Sequence, residues 1–345
     1  MHRRWNRSKL AVAAIALLTA NMLAACGSSS TAAEVVTGPW DSVVDAANAE
    51  GQVNFYSVMS TVQNKRLVDA FNQKYPNIRV AVTRGAGELP PRVEAEITAK
   101  SDGADVFLYS DRAWFSNHAD QLVTIDGPSI NGWRNDSWEV PSKAIIPSSY
   151  PYSMLVWNTN KFPDGFKTWD QLLDPSVKGS LGLRGDVTTS MAGFLDFQST
   201  QLGNDYMVRL GAQQPKYYTS VVPMTQAIAA GEIGVSNTSM PSVVKELQSQ
   251  GAPIQSLIPD PAFWSQWGAG VLSKSYRPNA ARVFLDFVMS PEGQTALNGD
   301  GFGAAGRDGI AGTIQPQGAT MLDSKKYSSP AVIEEFQAKF TKWFS

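Results

Sequence analysis

Apolar residues in this chain recur with two alternating periods, and the alternation begins near residue 40. Residues 40–49 have the spacing of a short helix, and residues 52–56 alternate as a strand. Residues 60–75 place Val62, Leu67, Val68 and Phe71 along one face, as in a half-buried helix. Pro76 and Asn77 stop that helix, and residues 78–82 form the next strand. A helix is expected at 89–99, where Pro90 and Pro91 fit only because the first turn needs no N–H from them. Residues 105–109 form a third strand, and this order argues for a parallel α/β sheet.

From residue 121 to 151 the rhythm gives way to loops and prolines that carry Trp133, Trp138 and Tyr150. A strand at 153–157 opens a second α/β stretch. It continues through apolar segments at 169–173 and 180–183, helices at 190–202 and 224–230, a strand at 233–236 and a helix at 241–250. Segments 254–258 and 268–272 precede a strongly amphipathic helix at 278–289, and a last helix is expected at 330–344. No unit of about 20–50 residues repeats, which argues against a solenoid or propeller.

The N-terminus follows neither period. Arg3, Arg4, Arg7 and Lys9 precede an almost wholly apolar run from Leu10 to Ala25, the layout of a secretory signal. Its 16 residues fall short of the roughly 20 that span a bilayer. The run ends Leu23-Ala24-Ala25-Cys26-Gly27, which resembles the lipobox of bacterial lipoproteins. That resemblance implies a signal peptide at 1–25, lipidation at Cys26, and export to the extracytoplasmic face of the cell membrane, with the lipid as the only membrane contact. Residues 26–38, small and polar at their start, then read as a flexible tether; the stretch 27–38 would reach roughly 17–21 Å.

Composition sharpens three points. The 345 residues carry 29 Lys and Arg against 31 Asp and Glu, a net charge of −2. Loss of residues 1–25 removes four bases and takes the charge to −6, so no basic field for nucleic acid is advertised. Cys26 is the only cysteine, which excludes disulfides within the chain and Cys-based metal clusters. His118 is the one histidine left after processing, so a His-rich metal site is excluded too. The length exceeds what one hydrophobic core usually serves, so two lobes are expected.

Several segments then line up. They are Val53–Ser57 with Lys65 to Pro76, Gly103 to Phe107, Leu155 to Thr159 with Lys161, Thr168 to Pro175, Gln226 to Glu232, and Ala280 to Gln294. In this order they resemble bacterial extracellular solute-binding proteins of ABC importers, in the subgroup that includes ferric-ion-binding proteins. The resemblance covers nearly the whole mature chain. It implies an α/β, two-lobed periplasmic-binding-protein-like class II fold, with a hinge and an interlobe cleft that traps one ligand. On that pattern residues 39–146 and 266–345 make lobe 1, and residues 147–265 make lobe 2. It also implies an ABC permease and ATPase as partners, a monomer, no cofactor and no enzymatic activity.

Ligands of parallel α/β sheets sit outside the carboxyl ends of the strands, where helix N-termini favour anions. The loops in that position carry Ser57, Ser60 and Thr61; Arg84 to Glu88; Ser110 and Asp111; Arg184 to Ser190; and Ser236 to Ser239. Arg84 and Arg184 come from opposite halves and are placed to grip one carboxylate or phosphonate. Ser57, Ser60, Thr61, Ser110, Thr188, Thr189, Ser190 and Asn237 are the candidate polar contacts, though serine and threonine there also serve as helix caps. Tyr150, Tyr152, Phe263, Trp264 and Trp267 cluster near the expected crossings; Tyr152 and Trp264 are taken as ligand-covering rings.

The expected ligand is a small organic anion. Ferric-binding relatives hold the metal with an adjacent tyrosine pair after the helix and strand that contain Ala230-Gly231-Glu232. Here that stretch is Val235 to Met240, without tyrosine, and the pair Tyr217-Tyr218 lies before that helix. No metal ligands are therefore assigned, and Fe(III) import and a receptor feeding a signalling kinase remain the alternatives. Gly301 to Gly306 matches G-x-G-x-x-G but follows a helix, which argues against a nucleotide site. His118 lies in a polar turn, with no nucleophile motif to make it a catalytic base.

Overall fold

The structure, a computed structural model, describes residues 32–344. Residues 1–25, Cys26 and the first part of the tether lie outside the described residues.

The chain opens with α1 (Trp40–Glu50), β1 (Gln52–Ser57), α2 (Thr61–Lys74), β2 (Arg79–Arg84), α3 (Leu89–Ala99) and β3 (Val106–Tyr109). The short α4 (Ala113–Asn117) and β4 (Trp138–Val140) precede β5 (Ala144–Pro151). Strands β2, β1 and β3 are parallel neighbours, as the alternation implies. The expected loop region at 121–151 holds instead an eight-residue strand, β5, buried along its whole length. A strand covered on both faces has no alternation to betray it.

One residue, Tyr152, separates β5 from β6 (Ser153–Asn158), which belongs to a second sheet. Next come β7 (Leu181–Arg184), α5 (Thr189–Gln201), α6 (Asn204–Gly211), β8 (Lys216–Tyr218), α7 (Val221–Ala229), β9 (Val235–Thr238), α8 (Pro241–Ser249) and β10 (Ile254–Leu257). The second sheet runs β10-β6-β9-β7-β8; its β9, β7 and β8 are parallel and β6 is antiparallel to both neighbours.

The chain returns through β11 (Phe263–Val271), which enters the first sheet antiparallel to both β5 and β3. The first sheet is thus mixed, where a purely parallel one was expected; with β12 at Ala304–Ala305 its order is β12-β5-β11-β3-β1-β2. Its remaining elements are α9 (Pro278–Met289), α10 (Pro291–Asn298), β12 (Ala304–Ala305) and β13 (Thr320–Met321), with β13 on β11 and β4 on β5. The last helices, α11 (Ser324–Tyr327) and α12 (Pro330–Phe344), pack on α5, and α12 also on α6. Residues 266–345 therefore do not all stay with the first sheet.

Helix α9 was expected to be amphipathic, yet all twelve of its residues are buried. Its polar groups are covered and paired: Arg282 binds Asp126, and Asp286 accepts from the Ser129 N–H at 2.7 Å. Burial of such groups is tolerated because each finds a partner. Part of the cover is the end of the expected tether. The Val36 N–H donates to Asn279 Oδ1 at 2.9 Å, Arg282 Nη1 donates to the Val36 carbonyl at 2.7 Å, and the Ala33 N–H donates to the Tyr276 carbonyl at 3.0 Å. Residues 33–36 are held by the body instead of forming free linker. His118 is not simply solvated either: its ring stacks on Trp114 at 4.3 Å. Among the described residues no helix is long and apolar enough to cross a membrane.

Candidate ligand-binding site

Three parallel strands in each sheet end at the same place. The segments after β1, β2 and β3 carry Val58, Gly85 to Gly87, and Ser110 with Asp111. Those after β7, β8 and β9 carry Asp186 with Thr188 to Ser190, Thr219 to Val221, and Ser239 with Met240. All six segments line one cavity of ≈ 190 Å³ between the two sheets. By the same measure one water needs roughly 10–15 Å³, so a small organic molecule fits.

Three helices of the second sheet begin at this cavity. Thr188 caps α5 by accepting from the Met191 N–H at 3.4 Å, and Ser220 caps α7 by accepting from the Val222 N–H at 3.4 Å. Helix α8 follows Met240, with proline at its first position. Each start presents free N–H groups and the positive end of a helix dipole. A hydrogen bond joins the two halves across the cavity, from Thr189 Oγ1 to Asp111 Oδ2 at 3.1 Å.

Arg84, Ser110, Tyr152, Arg184, Thr188, Thr189 and Ser190 line the cavity. The two arginines are not equivalent. Arg84 is exposed to the cavity; its Nε donates to the Met59 carbonyl at 2.9 Å, and it makes no ion pair among the described residues. Arg184 is half-buried, and its Nε donates to Asp186 Oδ1 at 2.7 Å while Nη2 also binds Asp186. Two of its N–H groups are therefore taken by a residue two positions on, and only the remaining guanidinium N–H groups are left by Asp186. Burial alone would lower the Arg184 pKa, but Tyr152, Asp186 and Tyr150 outweigh it and hold the group above its usual value.

Five expected contacts lie elsewhere. Ser57 is fully buried, and its Oγ accepts from the Met59 N–H at 3.1 Å. Ser60 is consumed as the cap of α2, accepting from the Gln63 N–H at 3.2 Å, and Thr61 starts that helix on its exposed side. Asn237 lies buried inside β9, between two neighbouring strands. Trp264 is buried opposite Met321 on β13. Trp267, three residues further along β11, is the ring that reaches the cavity, because an odd separation reverses the face of a strand.

The cavity wall also contains groups not chosen from the sequence: Tyr109, Asp111, Tyr150, Asp186, Ser220 and Ser239. Tyr150 lies against Trp267, with ring centroids 4.8 Å apart. Burial pushes the phenols of Tyr109 and Tyr152 up to about 12, so both are neutral donors. Burial likewise raises the Asp111 carboxyl, against the hydrogen bonds from Thr189 and Ala113 that lower it. Asp111 was within reach of sequence reasoning, being next to Ser110. Thr219 to Val221 was not, because β8 is three residues long and shows no alternation.

The tyrosine pair Tyr217-Tyr218 is on β8; Tyr217 Oη donates to the Phe344 carbonyl at 3.1 Å, away from the cavity. Among the described residues no group of three or more His, Cys, Asp or Glu is placed to hold a metal ion.

Solved structures share this architecture. One is a substrate-binding protein of an ABC transporter from Agrobacterium tumefaciens, 18% identical over 85% of this chain and 94% of that chain, with a TM-score of 0.75. AfuA from Actinobacillus pleuropneumoniae, solved with fructose-6-phosphate bound, is 20% identical over 86% and 99% of the two chains, with a TM-score of 0.65. Iron-bound HitA from Pseudomonas aeruginosa is 19% identical over 84% and 98%, with a TM-score of 0.62. At these identities the likeness is one of fold, that of class II periplasmic-binding proteins. No curated protein sequence matches the chain. The model of the bacterial extracellular solute-binding protein family matches residues 60–295, well over half of the sequence, and the chain belongs to that family.

Proposed function

We propose that this protein is the receptor of an ABC importer and captures one small organic anion, of carboxylate or phosphonate type, between its two sheets. Capture is non-covalent, and the loaded protein delivers the solute to a permease and its ATPase. The observation that carries the reading is the meeting of six strand-end segments, three helix starts and the exposed Arg84 around one cavity. Helix starts and an arginine without a carboxylate partner stabilise negative charge.

The residues assigned to binding are Arg84, Ser110, Tyr152, Arg184, Thr188, Thr189 and Ser190, with Tyr109, Asp111, Tyr150 and Trp267 added from the cavity wall. Closure follows from a ligand that touches both halves, since only the closed form makes all the contacts. The two lobes of this proposal follow the two sheets, the chain crossing at Tyr152, between β10 and β11, and after β13. Lipidation at Cys26 would hold the receptor outside the cell membrane as a monomer.

A second reading, Fe(III) import, draws on the oxygen atoms of Tyr109, Tyr150, Tyr152 and Asp111 in the same cavity. Thermal unfolding with carboxylates, phosphonates and Fe(III) separates the two, because a ligand of the native state stabilises by RT ln(1 + [L]/Kd). Stabilisation by organic anions supports the proposal. Stabilisation by Fe(III) alone overturns it.

A further inference from the structure

Asp111 is the group that the anion reading leaves unexplained. Its carboxylate lines the cavity, half-buried, and among the described residues no lysine, arginine or histidine forms an ion pair with it. Oδ2 accepts from Thr189 Oγ1 at 3.1 Å, and Oδ1 accepts from the Ala113 N–H at 3.2 Å. The adjacent Arg112 is paired with Glu139. Arg184 is committed to Asp186. A wholly anionic ligand filling this cavity would bring negative charge against Asp111, at a cost that grows as closure excludes water.

The surroundings of Asp111 favour positive charge. Tyr109 stands two residues before it, and the rings of Tyr150 and Trp267, 4.8 Å apart, line the same cavity. Aromatic rings beside a carboxylate suit an ammonium group better than a hydroxyl, which carries no charge for the ring quadrupole or the carboxylate to attract. The negative end of the ligand has its own place, at Arg84 and the starts of α5, α7 and α8.

We infer that the ligand is a zwitterion, an acid that also carries an amine, with its acid group at Arg84 and the helix starts and its ammonium on Asp111. The inference rests on the anion reading and adds the second charge to it. Asp111 then discriminates: it attracts the amine-bearing acid and repels the plain acid of the same length.

Isothermal titration of three matched series tests this. The series are straight-chain acids of two to six carbons, their terminal hydroxy acids and their terminal amino acids, each as carboxylate and as phosphonate, with the simple alkylamines as a fourth arm. The expected result is that one amino acid or aminophosphonate binds at least tenfold more tightly than its plain and hydroxylated counterparts. Asp111→Asn should remove that preference. Plain or hydroxylated acids binding as well as the amino forms would overturn the zwitterion and leave the anion reading standing. Alkylamines binding as tightly as amino acids, or no acid binding at all, would overturn both.

Discussion

At the scale of single residues, the proposed binding chemistry rests mainly on Arg84 and Asp111. Arg84 has terminal N–H groups with no partner among the described residues. Charge-assisted hydrogen bonds are worth about 1.5–3 kcal/mol, so Arg84→Ala should weaken anion binding by about tenfold or more, and should lower the melting temperature of the ligand-free protein only by the loss of the Nε bond to the Met59 carbonyl. Titration calorimetry and thermal unfolding of the same sample check both halves of that statement. Asp111 supplies a pH dependence. Burial raises its folded-state pKa above the unfolded value, so the folded protein holds the proton longer and loses stability as pH rises through the carboxyl range. Asp111→Asn removes this loss. In the absence of ligand the variant should melt higher than the parent at pH 7, and the gap should close as pH falls below the unfolded carboxyl value. Arg84 and the run from Thr188 to Ser190 were legible in the sequence because each follows a strand and precedes a helix. Ser60 was legible as polar and helix-preceding, but its hydroxyl is spent on the Gln63 N–H, and sequence does not show which caps have a lone pair left for a ligand.

At the scale of elements, the site is made by where helices begin, and so by caps and close contacts. Helix α10 shows how tightly this is set. Ser290 caps it by accepting from the Gly293 N–H at 3.1 Å, and a Cβ on Gly293 would stand 1.9 Å from the Phe287 carbonyl oxygen at the end of α9. A backbone carbonyl cannot rotate away as a side chain can. Gly293→Ala should therefore destabilise by about 2 kcal/mol or more, measured by denaturant titration. The motif from Ser290 to Gln294 could be read from sequence as a helix start, whereas the neighbour that forbids a side chain could not. The same holds for α9. Its sequence alternates as if one face met water, but residues 33–36 and 126–130 lie on that face. Pattern reports which residues are polar; only packing reports whether their partner is water or protein.

At the scale of the whole molecule, the chain visits the first sheet, the second, the first again and then the flank of the second. The last visit is made by α12, whose Trp343 is 6% exposed and whose carbonyl oxygen would be 2.2 Å from a Cβ on Gly211 in α6. Trp343→Ala should cost about 3–5 kcal/mol and lower the melting temperature with or without ligand. If the variant melts like the parent, α12 does not hold the C-terminus to α5 and α6 in solution.

The amino-acid sequence by itself determined the alternation of strands and helices, the apolar run that ends at Cys26, the absence of disulfides within the chain and the loops that carry Arg84 and Arg184. These depend on neighbours in the chain, which period and composition report directly. The tertiary structure alone decided that β5 and β11 complete a mixed sheet and that Trp267, not Trp264, faces the cavity. It alone decided that Arg184 is held by Asp186, and that Asp111 meets Thr189 across 78 positions of sequence. Each of these is a contact between segments far apart in the chain, and the free energy that selects one such contact over another comes from burial and pairing in three dimensions.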